Sequence, residues 1–359
     1  MKTLVRLLAC GLLLVLPGIA QSYPAAVEHD LSIDNYKFVS GATLPTVKLH
    51  YATVGTPAVD ASGHVTNAVM VLHGTGGSGR QFLNERFAGV LFGPGQRLDA
   101  SKYFIILPDN VGHGKSSKPS DGRHARFPEY GYDDMVELQH RLLQSLKVER
   151  LRLLMGTSMG CMHSWIWLER YPKEVEAAMP LACLPVEIAG RNRMWRKMAM
   201  DAIRNDPEWH DGDYAAQPHG LATALDMLLI AGSAPLTMQR QFPTRAKADA
   251  YVDDFIKGRM ATTDANDLWY ALNASRDYNP DPQLASITTP VTAINSADDF
   301  INPPELRIFE TELAKVKSVK VVLLPVTEAT RGHGTHTLAA VWQSYLGELL
   351  EATAGAKSH

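Results

Sequence analysis

Short unbroken apolar runs and longer segments that are apolar on one face alternate along most of the chain. The runs at residues 48–54, 68–73, 103–108, 150–155, 177–182, 291–295 and 319–324 are rich in Val, Ile, Leu and Met. Their length and their lack of polar alternation suit strands buried on both faces of a parallel sheet. Helical periodicity follows several of them, at 132–145, 159–171 (stopped by Pro172), 305–314 and 338–352. Strand followed by helix, repeated, predicts an α/β fold: a mostly parallel sheet flanked by helices. Between residues 185 and 285 the rhythm changes to Met194-Trp195, Met198, Met200, an Asp206-Pro207 break, Trp209, Met227, Met238, Met260 and Trp269-Tyr270. This stretch reads as an inserted helical lid with no strand, dividing the core into 21–184 and 286–359. Its Met and aromatic content suits either an adaptable apolar pocket or the core of the lid itself.

Composition narrows the class. Of the 359 residues, 45% are hydrophobic and 20% charged, so a sizeable packed core is expected and wholesale disorder is excluded. Lys plus Arg number 35 against 38 Asp plus Glu, a net charge of −3, which argues against gripping nucleic acid or an anionic membrane surface. The first residues change the expected location. Lys2 and Arg6 precede an apolar run at 7–16 and the small residues Gly18-Ile19-Ala20, the layout of a cleaved signal peptide over 1–20. The run is shorter than the ~20 residues of a membrane span. A secreted or periplasmic protein without stable membrane insertion is therefore expected. Cys10 falls in the leader, and Cys161 and Cys183 remain. They can pair in an oxidising compartment, with buried free thiols as the default.

The sharpest chemical signal is Gly156-Thr157-Ser158-Met159-Gly160, lying between an apolar run and a helical pattern. A serine at such a strand–turn–helix corner adopts strained dihedrals, and small flanking residues are needed because Cβ atoms there would collide with neighbouring backbone. The hydroxyl is pushed out at the carboxyl end of the sheet. The Met159 amide then sits at a helix N-terminus, where a developing oxyanion is favoured. The other oxyanion donor is expected from the loop His73-Gly74-Thr75-Gly76-Gly77-Ser78-Gly79, at the Thr75 amide. That loop lacks the lysine of a phosphate-binding loop, so no nucleotide cofactor is expected. His113, in the loop after Pro108, reads as structural.

A serine hydroxyl needs a base held by an acid, and in this architecture they follow in the order Ser, Asp, His. Asp298-Asp299 follows the run at 291–295, and Gly332-His333-Gly334 follows the run at 319–324. The strand-anchored register favours Asp298, taken here as the acid; counting back from Pro303 favours Asp299. His333 is the expected base and His336 its rival. As an H-x-x-H metal pair the two lack a third ligand, so no metal is expected.

These residues resemble the homoserine O-acetyltransferase branch of the α/β-hydrolase superfamily. The resemblance rests on Leu44-Pro45, Asn67-Ala68-Val69, His73-Gly74, Phe127-Pro128, Asp134-Met135-Val136, Gln139 and the Gly156–Gly160 motif. It continues in Ala202-Ile203, Asp206-Pro207, Trp209, Gly212-Asp213-Tyr214, Gly220-Leu221 and Gly332-His333. It implies an α/β-hydrolase fold with Ser158 as nucleophile, His333 as base and one of the paired aspartates as its orienter. Dimers are common in that branch, which leaves a homodimer open. Two departures bear on substrate. The arginine that binds the homoserine carboxylate is replaced by Leu225, and the Asp that holds the substrate amine is replaced by Gly334. The expected activity is thus a secreted serine hydrolase cleaving a small-molecule ester, or less readily an amide, through Ser158, Asp298 and His333. The alternative is an acyltransferase with an acceptor other than homoserine.

Overall fold

A computed structural model describes residues 23–355; the leader and Cys10 lie outside the described residues. Eight strands form one sheet in the order β1-β2-β4-β3-β5-β6-β7-β8. They are β1 (Val27–Lys37), β2 (Thr43–Val54), β3 (Ala68–Leu72), β4 (Phe104–Pro108), β5 (Leu153–Thr157), β6 (Ala178–Leu181), β7 (Val291–Ser296) and β8 (Val319–Leu324). From β4 to β8 every pairing is parallel, while β1–β2 and β2–β4 are antiparallel. All seven expected runs are strands, as the resemblance implied for the fold. β1 was not expected. It pairs with β2 at the sheet edge, and Leu31 and Ile33 alternate with Asp30, Ser32 and Asp34 on a half-exposed surface. Such a strand lacks the continuous apolar run that marks a buried parallel one.

The central strands show why that run exists. In β3, Ala68, Met70 and Leu72 face one apolar layer and Val69 and Val71 the other; in β4, Phe104 and Ile106 oppose Ile105 and Leu107 in the same way. Both faces need cover, and helices supply it. On one side lie α1 (Ala88–Leu91) and, last in the chain, a helix at Ala339–Ala352 whose Trp342 and Leu346 pack with Phe87 and Leu91. On the other lie α2 (Tyr132–Ser145) and α3 (Met159–Arg170), which contribute Leu138, Leu142, Trp165 and Trp167.

Between β6 and β7 the chain runs through α4 (Gly190–Arg204), α5 (His219–Gly232), α6 (Pro235–Gln241), α7 (Arg245–Met260) and α8 (Ala265–Asn273), with no strand among them. Side-chain caps start two of these: Asp264 accepts from the amides of Asn266 and Asp267, and Thr244 from that of Lys247. Trp195, Met200, Trp209 and Trp269 are buried together as the insertion's own core. After β7 the expected helix at 305–314 is broken. A 3₁₀ turn at Pro304–Leu306 ends at Arg307, whose φ of 54° interrupts the ladder, and α9 (Ile308–Leu313) resumes. The final helix, α10, is the one at Ala339–Ala352. Among the described residues no single helix is long and apolar enough to cross a membrane.

Candidate active site

Ser158 follows β5 directly, at the carboxyl rim of the central strand. Its φ of 55° and ψ of −110° lie where non-glycine residues cost about 1–3 kcal/mol. Two glycines make this corner possible. A Cβ on Gly156 would stand 1.9 Å from the Gly160 carbonyl oxygen, and one on Gly160 would stand 2.2 Å from that of Leu72. The turn thus presses against β3, and the Gly160 amide donates to the His73 carbonyl at 3.0 Å. α3 begins at Met159, whose amide is left at the helix N-terminus.

Three side chains stand in series. Ser158 Oγ lies 2.8 Å from His333 Nε2, and His333 Nδ1 lies 2.8 Å from Asp299 Oδ2. The acid in contact with the ring is therefore Asp299 and not Asp298. β7 runs one residue further than expected, to Ser296, and a turn closed by the Asp299 amide on the Ser296 carbonyl swings Asp299 back under the imidazole. Asp299 is fully engaged: Oδ1 accepts from the amides of Ile301 (2.8 Å) and Asn302 (3.2 Å), and Oδ2 also accepts from Asn302 Nδ2 (2.9 Å). Burial alone would raise its pKa, but the His333 ring and these donors hold it below the usual carboxylate value. Asp298 has a different task. It accepts from the Gly332 amide at 2.9 Å and from the Ser296 hydroxyl, so it ties down the turn that carries His333.

His336, the rival imidazole, is buried and donates to the His333 carbonyl. It makes no hydrogen bond to Ser158 among the described residues. His336→Ala should keep activity within about tenfold of wild type while His333→Ala loses it by more than a thousandfold; steady-state kinetics giving the reverse order would reassign the base.

The loop at residues 73–79 abuts the serine. A Cβ on Gly74 would come 3.3 Å from Ser158 Cβ, so this close approach needs the missing side chain. Among the described residues neither the Thr75 nor the Met159 amide donates a hydrogen bond. Both are free for a ligand oxygen. Neutral imidazoles hold this loop in place. His73 Nδ1 donates to the Gly74 carbonyl at 2.8 Å, and its Nε2 accepts from the backbone and side-chain amides of Asn110. His113 stands between two carbonyls, with Nε2 2.9 Å from that of Thr75 and Nδ1 3.1 Å from that of Val111, which is a structural role.

Burial pushes the pKa values of His73 and His113 down to about 4, that of His336 to about 3, and that of His163 well below its ordinary value. In the unfolded chain these rings titrate near 6.5. Between those limits the unfolded state binds more protons, so stability present above pH ~6.5 drains as pH falls toward 4. Glu169 and Asp267, raised by burial to about 8 and about 6, act in the opposite sense. Asp134, also raised by burial, joins them, so four rings stand against three carboxyls. A lower thermal unfolding midpoint at pH 4.5 than at pH 7 is expected. Thermal unfolding midpoints that stay flat from pH 7 to pH 4.5 would contradict it.

A cavity of about 730 Å³ opens beside Ser158 and His333. Met162, Val186, Ile188, Ile301, Leu306 and Ile308 give it apolar walls. The insertion supplies residues 186–189, α4 and Pro235 to this cavity but none of its methionines or tryptophans. Met194 and Met198 instead lie exposed on a separate outer groove. The methionine-rich set is thus the insertion's core and outer face, and not the pocket. Two wall features escaped sequence reasoning. Arg196 reaches the cavity from α4, and Cys183 lines it while bonded to Cys161 on α3. The expectation of free thiols is corrected: the first turn of α3 and the end of β6 bring these Cα atoms to 5.9 Å. Leu225 is buried away from the cavity, and Gly334 carries no side chain toward it. No cluster of three or more metal-ligating side chains occurs among the described residues.

Known proteins agree with this architecture. A model of the alpha/beta hydrolase fold family matches residues 67–325. The homoserine O-acetyltransferase of Pelobacter propionicus is 29% identical over 314 residues, covering 77% of this chain and 83% of that protein. That of Chlorobaculum tepidum is 30% identical over 306 residues, covering 77% and 81%. Among solved structures, esterase E22 aligns with a TM-score of 0.79 at 20% identity, over 91% of this chain and 100% of its own. A homoserine O-acetyltransferase from Bacillus anthracis also reaches 0.79 at 21% identity, over 91% and 98%. The chain belongs to the alpha/beta hydrolase fold family, in its homoserine O-acetyltransferase-like branch, and is an enzyme of that fold.

Proposed function

We propose that this enzyme is an exported serine hydrolase that cleaves a small-molecule ester, and less readily an amide. The observation that carries the reading is the series Ser158 Oγ, His333, Asp299, with 2.8 Å at each step. His333 Nδ1–H donates to Asp299, which fixes the tautomer and leaves Nε2 to take the serine proton. As that proton moves, Oγ bonds to the substrate carbonyl carbon. The charge on the carbonyl oxygen is met by the amides of Met159 and Thr75. The tetrahedral species collapses, the carbonyl carbon–alkoxy oxygen bond breaks, and His333 returns the proton to the leaving alcohol. Water then repeats the sequence on the acyl-enzyme, with His333 again as base, and frees the acid and Ser158. The helical insertion acts as the lid of this site, with α4 as one wall.

Export is supported by the composition of residues 1–20 and by the Cys161–Cys183 disulfide, a bond that persists in oxidising compartments. Hydrolysis of an ester other than O-acetylhomoserine is favoured by Leu225 and Gly334, which provide no charge for an amino acid's carboxylate or amine. Losing two such contacts, each worth about 1.5–3 kcal/mol, removes most selectivity for a zwitterion. Homoserine with acetyl-CoA should therefore give product at less than about one-hundredth of the rate of ester hydrolysis, by thiol release and mass detection; robust O-acetylhomoserine formation would overturn this choice of substrate. The transferases among its relatives support a second reading, transfer of the acyl group to another acceptor. Product partition between acid and new ester on adding alcohols separates the two.

A further inference from the structure

Arg196 is an oddity in the cavity wall. Its side chain is 3% exposed, yet no carboxylate among the described residues lies within 4.0 Å of it. An arginine stays charged when buried, so the charge must be matched by something. The partners present are neutral: Nε donates to Asn192 Oδ1 at 3.0 Å and Nη1 to Ser275 Oγ at 3.3 Å, the Tyr132 hydroxyl stands beside the guanidinium, and the Trp195 ring lies 4.9 Å from it. These contacts orient the guanidinium without neutralising it, and nearby Arg193 adds to the positive field.

None of the acids that share the cavity lies within 4.0 Å of Arg196, and two of them are hydrogen-bonded elsewhere. Asp299 is bound to His333 and Asn302, and Asp298 to Gly332 and Ser296. Glu187 and Glu305 are exposed residues of the wall. Arg191, also in the wall, lies 3.7 Å over the Phe300 ring, donates to the Phe300 carbonyl at 2.7 Å and has no carboxylate partner within 4.0 Å either. The cavity therefore couples a hydroxyl nucleophile, apolar walls and a buried guanidinium that no carboxylate touches. A neutral aliphatic ester would satisfy the first two and leave the third unmatched.

We propose that Arg196 is an anion-recognition residue of this cavity, and that the substrate is an ester carrying a carboxylate separated from the scissile bond by an apolar segment. The inference rests on the hydrolase reading of Ser158 and narrows its substrate class. It differs from amino-acid recognition, because the charge comes from α4 and because position 225 on α5 holds a buried leucine.

The test uses the mature protein with paired chromogenic esters. In one arm the anion is on the acyl half: p-nitrophenyl half-esters of glutarate, adipate and suberate against neutral valerate, hexanoate and octanoate esters. In the other it is on the alcohol half: 4-acetoxybenzoate against 4-methylphenyl acetate. Arg196→Met should lower kcat/KM for the anionic members of one arm by about 10- to 100-fold, chiefly through KM, and change the neutral members by less than about threefold. Arg196→Lys, which keeps the charge without the planar fork, should recover part of the loss and carries the test where Arg196→Met does not fold. Equal losses on anionic and neutral esters, or a wild-type preference for neutral esters in both arms, would overturn the proposal.

A binding readout is independent of turnover. Adipate, suberate or 4-hydroxybenzoate should raise the melting temperature of Ser158→Ala saturably, but not that of Ser158→Ala with Arg196→Met. No stabilisation by any of the three refutes the anion site. An absence of all ester turnover by wild type, with stabilisation intact, refutes the hydrolase reading and leaves the anion site standing.

Discussion

Ser158→Ala is expected to lower ester hydrolysis by about 10⁴- to 10⁶-fold while leaving the melting temperature within a few degrees of wild type. The first half of that statement follows from the covalent role. Without Oγ there is no acyl-enzyme, and what remains is the two amides and the cavity acting on direct attack by water. The second half follows from local geometry. Ser158 Oγ makes one hydrogen bond, to His333, and caps no helix amide, so its loss leaves only His333 Nε2, in the cavity wall, without its partner. The strain at φ 55° belongs to the backbone and is carried equally by alanine. A fluorophosphonate probe should label wild type at the peptide containing Ser158 and leave the variant unlabelled. Residual hydrolysis above about one percent, or labelling that survives the substitution, would place the nucleophile elsewhere.

Much of this arrangement was legible in the chain, for identifiable reasons. β3 to β7 are buried on both faces and therefore write themselves as apolar runs, whereas β1 is a half-exposed antiparallel edge whose alternation with Asp and Ser reads as loop. The Ser158 corner was legible because its steric demands force glycine at 156 and 160, positions where any Cβ would strike backbone. What a sequence does not carry is register within a turn and proximity across the sheet. One extra residue of strand at Ser296 exchanged the tasks of two adjacent aspartates. The approach of Cys161 to Cys183 depends on how α3 packs against the end of β6, which spacing along the chain does not encode. Arg196 was hidden by its neighbours. Arg191, Arg193 and Lys197 lie beside it in the sequence, and only the packing of α4 over the cavity singles out the one that is buried.

The paired aspartates give the most discriminating experiment, since two adjacent carboxylates of equal chemistry are set to different tasks. Asp299→Asn should cost about 10³- to 10⁴-fold in kcat, because an amide at that position no longer stabilises the imidazolium and its N–H₂ can face His333 Nδ1, forcing the tautomer that presents Nε2–H to the serine. The substitution is nearly isosteric, so the acceptors for Ile301 and Asn302 are partly retained and the fold should survive. Asp298→Asn removes charge from a bond to the Gly332 amide and leaves a neutral acceptor, so kcat should fall by no more than about tenfold. Its effect should appear instead as lower thermal stability, of about 1 kcal/mol, from loosening the turn that carries His333. The ratio between the variants is the decisive number. If Asp298→Asn proves the more damaging to kcat at equal folded fraction, the imidazole is oriented by the first aspartate during turnover, and the hydrogen bond from His333 to Asp299 is not the one that catalysis uses.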